Sequence, residues 1–413
     1  MELTLEEKQI LDGAQGEPKK KALAYQIEVG NYYNAERFVP ITQSHITADY
    51  EVMGEAGLTY LEDQCSKKAE FVVPASTNAR CVDFESALCM GQSGEILEKE
   101  HRVIKAVRKL GAATIDSCIN YQVSSQPRLG EHVAWGDTGT VIYANSVFGA
   151  RTNYESGPAV FAASITGRVP AYGFHLDEHR KATIIVNVKA EMKDLADWGI
   201  LGRIIGSKIF DYTQVPVITN VNQYNPTSDD LKHLGASMAT WSIGMFHLVG
   251  ATPEARTLED ATGGKTNLET ITITEEDMKS EYESFEYKDN NVSLIALSGP
   301  QLSLEEIRRV ANLLDGKQIK PGVDFIITTS AATYMQATQA GYADKIQKAG
   351  GKFLKGVCFY ILDGLSEIRK KNNWSTLVTN SVKLANNVKA HRFVPVVRRT
   401  EECIEIAVRG VVK

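Results

Sequence analysis

From residue 292 to the end, the chain alternates short apolar runs with amphipathic stretches, and this narrows the folds open to it more than any other feature. Val292 to Leu297 reads as a strand, and Ser303-Leu304-Glu305-Glu306 is a capping box that opens a helix to Leu314. Val323 to Thr328 is a strand and Ala331 to Lys348 a helix. Phe353 to Leu362 contains a strand with Cys358, Thr376 to Thr379 leads into Asn380-Ser381, and Glu401 to Val408 closes as a helix. Upstream, Glu95 to Leu110 places Ile96, Val103, Val107 and Leu110 on one stripe and stops at Gly111. Phe71 to Val73, Ala112 to Asp116, Thr140 to Asn145 and Thr183 to Val186 read as strands, and Ala159 to Ile165 as a helix. Strands alternating with helices predict a multidomain α/β protein with mostly parallel sheets flanked by helices. A polar, glycine-containing stretch, Thr252 to Asn267, suggests a boundary. The expected division is an N-terminal helix and loop segment over 1–70, α/β structure over 71–260 and a C-terminal α/β domain over 268–413. Gly199, Gly202 and Gly206 within Leu195 to Ile209 point to close helix packing rather than a phosphate loop.

With 413 residues the chain has room for two or three domains. A formal charge of −6 and a pI near 5.9 argue against a nucleic-acid footprint. No apolar run approaches the roughly 18 residues that a membrane helix needs, and the acidic start lacks the apolar core of a secretory signal. None of the six cysteines has zinc-ribbon or redox spacing, and without a secretory signal a reducing cytoplasmic compartment is expected.

In parallel α/β sheets, ligands bind beyond the carboxyl ends of the strands. The polar loops expected there are Thr77-Asn78, Ser117-Cys118, Asn145 to Asn153, Ser298 to Gln301 and Thr379 to Lys383. Gly149-Ala150-Arg151-Thr152-Asn153 follows an apolar run and has the make-up of an anion clamp, with Arg151 as the fork for a carboxylate or phosphate. Thr77, Asn78, Asn145, Ser146, Thr152, Asn153 and Asn380 would add neutral contacts. His45 in a polar loop, the titratable run His175, Asp177 and Glu178, and Ser381 with Lys383 are the candidates for proton transfer.

These segments resemble the large subunit of aconitase X, a branch of the aconitase superfamily, nearly end to end. The likeness is strongest from Gly130-Glu131-His132-Val133-Ala134-Trp135 through Ala144 to Asn153 and on to His175-Leu176-Asp177-Glu178-His179-Arg180. Weaker echoes are Ser44-His45-Ile46, Gly54-Glu55-Ala56-Gly57 and Thr379-Asn380-Ser381-Val382-Lys383. The resemblance implies a hydro-lyase that dehydrates a small hydroxy acid such as a hydroxyproline-like or phosphorylated one. It also implies an iron–sulfur cluster and a separate small swivelling subunit, with no nucleic acid or membrane as partner. Three cysteines would hold the cluster. Cys118 and Cys358 match two positions, and Gly299, in Ser298-Gly299-Pro300-Gln301, stands at the third. Asn120 replaces an expected proline, and Asp137-Thr138 an expected Glu-Ser pair. An altered or absent cluster is therefore expected. The alternatives are a cluster-free descendant that isomerises, cyclises or eliminates by acid–base chemistry, and a non-catalytic subunit that binds small acids.

Overall fold

The computed structural model describes residues 1–155, 157–285 and 292–412, and within them fifteen strands build three parallel sheets and one antiparallel pair. The strands of the first part are β1 (Phe38–Pro40), β2 (Ser44–Ile46), β3 (Ala75–Thr77), β4 (Ala112–Ala113), β5 (Ala134–Trp135) and β6 (Arg168–Pro170). Strands β4-β3-β2-β5 form a four-stranded parallel sheet, and β1 pairs antiparallel with β6. The middle sheet runs β10-β7-β8-β9, from β7 (Ile184–Lys189), β8 (Pro216–Thr219), β9 (His247–Leu248) and β10 (Glu269–Thr274). The last sheet runs β13-β12-β11-β14-β15, from β11 (Leu294–Leu297), β12 (Asp324–Thr329), β13 (Lys352–Lys355), β14 (Thr376–Thr379) and β15 (Val394–Val397). All pairings in the three larger sheets are parallel, as expected for strands joined by helical crossovers.

The structure corrects several local expectations. Thr140 to Asn145 is not a strand. Asp137 caps a helix, Thr138–Tyr143, by accepting from the amides of Gly139 and Thr140, and the chain continues through a π-helical turn, Ala144–Phe148. The helix is buried nearly all round, which removes the 3.6-residue signature that separates a short helix from a strand. Gly149, at φ +64°, ends it in a conformation that suits glycine. His45 lies in β2 rather than a loop, because residues 44–46 are sandwiched between β3 and β5. The pairing beside it begins after Pro74, so the strand is Ala75–Thr77 and not Phe71 to Val73. The stretch expected as one helix over 331–348 breaks at Gly341, φ +77°, into Ala331–Gln339 and Tyr342–Lys348. The edge strand β15 was not expected.

The glycines of the helix Leu195–Ile209 do permit close packing. A Cβ on Gly202 would stand 2.5 Å from the Leu234 carbonyl oxygen of the helix Ser228–Ala239. That neighbour is backbone and cannot rotate away. Gly202→Ala is expected to destabilise the protein by about 1–3 kcal/mol, the cost of overpacking, read from urea denaturation by circular dichroism; a change under about 0.5 kcal/mol contradicts the close approach.

The first and last sheets are joined where the Arg80 amide donates to the Gly356 carbonyl at 2.8 Å and Asp83 accepts from the Lys355 amide at 3.0 Å. The middle unit braces the last through a buried ion network. Lys232 reaches Asp229 at 3.0 Å and Glu306, and His233 lies 2.9 Å from the other Glu306 oxygen. Among the described residues no helix is long and apolar enough to cross a membrane.

Candidate active site

The carboxyl ends of β3 and β5 meet those of β11 and β14, and the polar residues after these four strands form one cluster. β3 ends at Thr77, whose hydroxyl donates to Asp116 at 2.8 Å, and leads to Asn78. β5 leads through Gly136 to Asp137. β11 runs into Ser298 to Gln301. β14 runs into Asn380, which donates to Thr400 Oγ1 at 3.2 Å, and Ser381, which caps the helix Val382–Asn387 by accepting from the Leu384 amide at 3.1 Å. The Ser381 hydroxyl donates to the Gly299 carbonyl, which ties β14's loop to β11's.

Lys383 is the buried cation of this cluster, only 4% exposed. Its Nζ donates to Thr138 Oγ1 at 3.4 Å and stands 3.9 Å from Asp137 Oδ2. Burial pulls the ammonium's pKa down, but Asp137, Cys118 and Cys358 outweigh it and hold the pKa above the ordinary lysine value. Asp137 Oδ2 is fixed by the two helix amides at 3.0 and 3.2 Å, while Oδ1 accepts from Asn78 Nδ2 at 3.3 Å. The exposed Thr138 gives this pair its contact with solvent.

Cys118 and Cys358 come together here, both buried. The Gln301 amide donates to Cys118 Sγ at 3.2 Å, and Ser298 Oγ lies 3.9 Å from Cys358 Sγ. Contact with Cys358, followed by burial, pushes the Cys118 thiol well up. His45 is sealed behind this wall with Nδ1 at 2.9 Å from Ser76 Oγ. Burial lowers its pKa to about 4 against the pull of Asp137 and Asn78, so its imidazole is neutral near pH 7. His45 Nε2, Asn78 Oδ1, both polar atoms of Asn120, the Tyr121 hydroxyl and Gln301 Oε1 are buried without a hydrogen-bond partner among the described residues. Unsatisfied buried polar atoms are rare, and gathered on one wall they mark a place that takes a polar ligand.

Sequence reasoning passed over Asp137, Tyr121 and Tyr360. Tyr121 stacks on Tyr143 with ring centroids 3.8 Å apart, and burial, followed by the Cys358 charge, pushes the Tyr360 phenol well up. Asp137 carried a readable signal, an Asp-Thr-Gly-Thr start to an apolar run, which is an N-cap pattern.

The other expected site residues lie elsewhere or are already engaged. Arg151 bridges to His132, which precedes β5, whereas Asp137 follows it. Its guanidinium bonds Asp177 and the His175 carbonyl, the latter at 3.0 Å, and that contact holds the Asp177 carboxyl below its usual range. His175 Nδ1 lies 2.9 Å from His132 Nδ1, and Glu178 is exposed. Asn145 donates to the Thr152 and Gly244 carbonyls at 2.9 and 3.0 Å, and Ser146 accepts from the Phe246 amide at 2.9 Å. Thr152 accepts from the Trp135 amide at 3.2 Å, and Asn153 donates to the Tyr172 carbonyl at 3.1 Å. These groups staple the first sheet to the middle one, and with no strand ahead of Gly149 the loop is not carried to a strand's carboxyl end.

The donor set does not fit a cluster held by three cysteines. Two thiols converge, but Gly299 sits at φ +60°, and a Cβ there would stand 3.3 Å from Leu384 Cβ and 3.4 Å from the Tyr360 ring. Gln301 cannot substitute, since its amide donates to the Asp116 and Val357 carbonyls at 3.1 and 3.0 Å. Among the described residues, no three or more His, Cys, Asp or Glu side chains are grouped to hold a metal ion.

Comparison with known proteins covers nearly the whole chain. The aconitase X first-domain model matches residues 1–178, the second 182–283 and the third 292–409. The phosphomevalonate dehydratase large subunit of Thermococcus kodakarensis is 36% identical over 397 residues, 95% of this chain and 96% of that one. The cis-3-hydroxy-L-proline dehydratase of Pseudomonas aeruginosa is 31% identical over 91% of this chain but 64% of its own. The crystal structure of Thermococcus kodakaraensis aconitase X in its holo-form superposes with a TM-score of 0.88 at 34% identity, covering 98% of this chain and all of that one.

Proposed function

The chain belongs to the aconitase X family, and from that premise we propose that it is a dehydratase-type lyase that removes water from a small hydroxy-carboxylic acid. The substrate class is a hydroxyproline-like acid or a phosphorylated hydroxy acid, the two kinds of molecule in the relatives' names. Its partner is a separate small subunit. The support is that large-subunit relatives match this chain almost end to end, whereas 36% of the hydroxyproline dehydratase lies outside the match. Its compartment is the cytoplasm.

The observation that carries this reading is the buried Lys383 beside Asp137 where four strand ends meet. Loss of water β to a carboxylate requires a base for the Cα proton, help for the departing hydroxide and a cation for the charge developing on the carboxylate. Lys383 answers the second need as the donor to the departing hydroxide, and Asn78 and Asn120 stand within the same wall as neutral contacts for the carboxylate. Gly299 favours acid–base chemistry without a three-cysteine cluster. Arg151 and Asn153 keep the neighbouring loop in place rather than touching substrate.

The test is turnover of mevalonate 5-phosphate and cis-3-hydroxy-L-proline by the chain isolated anaerobically with its partner, followed as loss of one water by mass. Iron and acid-labile sulfide are measured on the same sample. Turnover with iron and sulfide far below stoichiometry supports the reading. Turnover that rises and falls with cluster content overturns the cluster-free part, and no turnover of either acid or of related hydroxy acids overturns the whole.

A further inference from the structure

Resting on the dehydratase reading, we propose that Asp137 is the base that takes the Cα proton of the substrate and that Lys383 is the acid that protonates the departing hydroxyl. The geometry of one side chain points to this division of roles. Asp137 stands on the turn after β5, where Oδ2 is committed to the amides of Gly139 and Thr140 while Oδ1 has only the long 3.3 Å contact from Asn78. A carboxylate clamped through one oxygen presents the other in a fixed direction. The ammonium of Lys383 lies 3.9 Å from that clamped oxygen, and the turn meets solvent at Thr138. Neighbours on both joined sheets feel this charge: His45 from β2, Cys358 after β13 and Lys383 after β14. His45 is the rival base, but it is fully enclosed, with Asn78 between it and Asp137.

The step balances across the pair and the solvent at Thr138. Asp137 Oδ1 takes the proton from Cα, and the C–H electron pair becomes the double bond between Cα and Cβ. The Cβ–O pair leaves on oxygen, which takes a proton from Lys383 and departs as water. Asp137 now carries one proton too many and Lys383 one too few. The turn meets solvent at Thr138, where Oδ1 gives up its proton and Lys383 regains one, and both charges are restored. The coupling also times the acid. Asp137 sustains the resting ammonium, so when the carboxylate is neutralised by the substrate's proton that support disappears and Lys383 becomes a stronger acid as the hydroxyl needs its proton.

Asp137→Asn tests the base without removing the helix cap, since asparagine caps as well as aspartate. The chain with its partner is given cis-3-hydroxy-L-proline and mevalonate 5-phosphate in deuterium oxide, and both elimination and Cα exchange are followed by mass. In D137N both are expected to fall by at least about 10²-fold, the range for a lost general base, with melting within a few degrees of the parent. In K383M elimination is expected to fall while Cα exchange survives in part, because the base is intact. D137N that exchanges or eliminates within about threefold of the parent overturns the pair while leaving the dehydratase reading in place. K383M that loses exchange as completely as D137N overturns the division of roles. If the parent itself turns over no hydroxy acid, the underlying reading fails and the pair with it.

Discussion

Lys383→Met lowers kcat/KM by about 10²–10³-fold, the cost typical of removing one preorganised donor from developing negative charge. Methionine is one atom shorter but keeps the apolar stem of the lysine, and Asp137 keeps its two amide donors and Asn78, so the variant folds. Because the departing hydroxyl takes its proton only in the transition state, kcat falls as well as kcat/KM. Lys383→Arg recovers little, since a planar fork does not match a slot shaped by Thr138 Oγ1 and a single Asp137 oxygen. Steady-state kinetics on the three proteins, with circular dichroism as the folding control, decide the matter. A K383M enzyme that loses only affinity, with kcat unchanged, contradicts the role.

The largest effect on stability belongs to a lysine outside the site. Lys232 is fully buried and holds Asp229 and Glu306 together with His233, bracing the middle unit against the last. Lys232→Met leaves the buried Glu306 and the partly buried Asp229 without their shared cation and costs about 3–5 kcal/mol. Adding Glu306→Gln returns part of the loss, because one uncompensated charge goes with it. Chemical denaturation gives both values, and a single variant within about 1 kcal/mol of the parent sinks the argument. The sign of the pH dependence follows. Burial alone raises the Asp229 carboxyl, but Lys232 and the hydrogen bonds from Gln122 and Ser303 bring it down to about 2. Its contribution to stability is full above the unfolded aspartate value near 4 and is lost as pH falls towards 2.

The alternation of strands and helices after residue 292 was readable because each element carries its own punctuation. Ser303 and Glu306 form the expected box, and Thr376 to Thr379 is β14 residue for residue. Where burial is complete, periodicity loses its meaning, and the helix after Asp137 looked like a strand. That reading put the Arg151 loop at a strand's carboxyl end, whereas it follows a π-helical turn and its guanidinium is bound to Asp177 and His175. Lys383, Asn78, Ser381, Cys118 and Cys358 could be nominated from loops after strands. Their meeting with Asp137 could not, because it depends on two sheets 150 or more residues apart in the chain docking strand end to strand end. Asn145, Thr152 and Asn153 have the composition of ligand contacts and the hydrogen bonds of scaffolding, a distinction that composition does not carry.

The seam at Arg80 and Gly356 makes the chemistry common property of two lobes. The carboxylate stands on the first and the ammonium on the last, so neither lobe can drift in sequence on its own terms. A change that tilts the Asp137 turn is felt by a lysine more than two hundred residues later, and a chimera that exchanges residues 292–412 inherits an acid without the base it was fitted to. Compatible pairs of lobes, rather than individually good ones, are the units in which such an enzyme can be recombined.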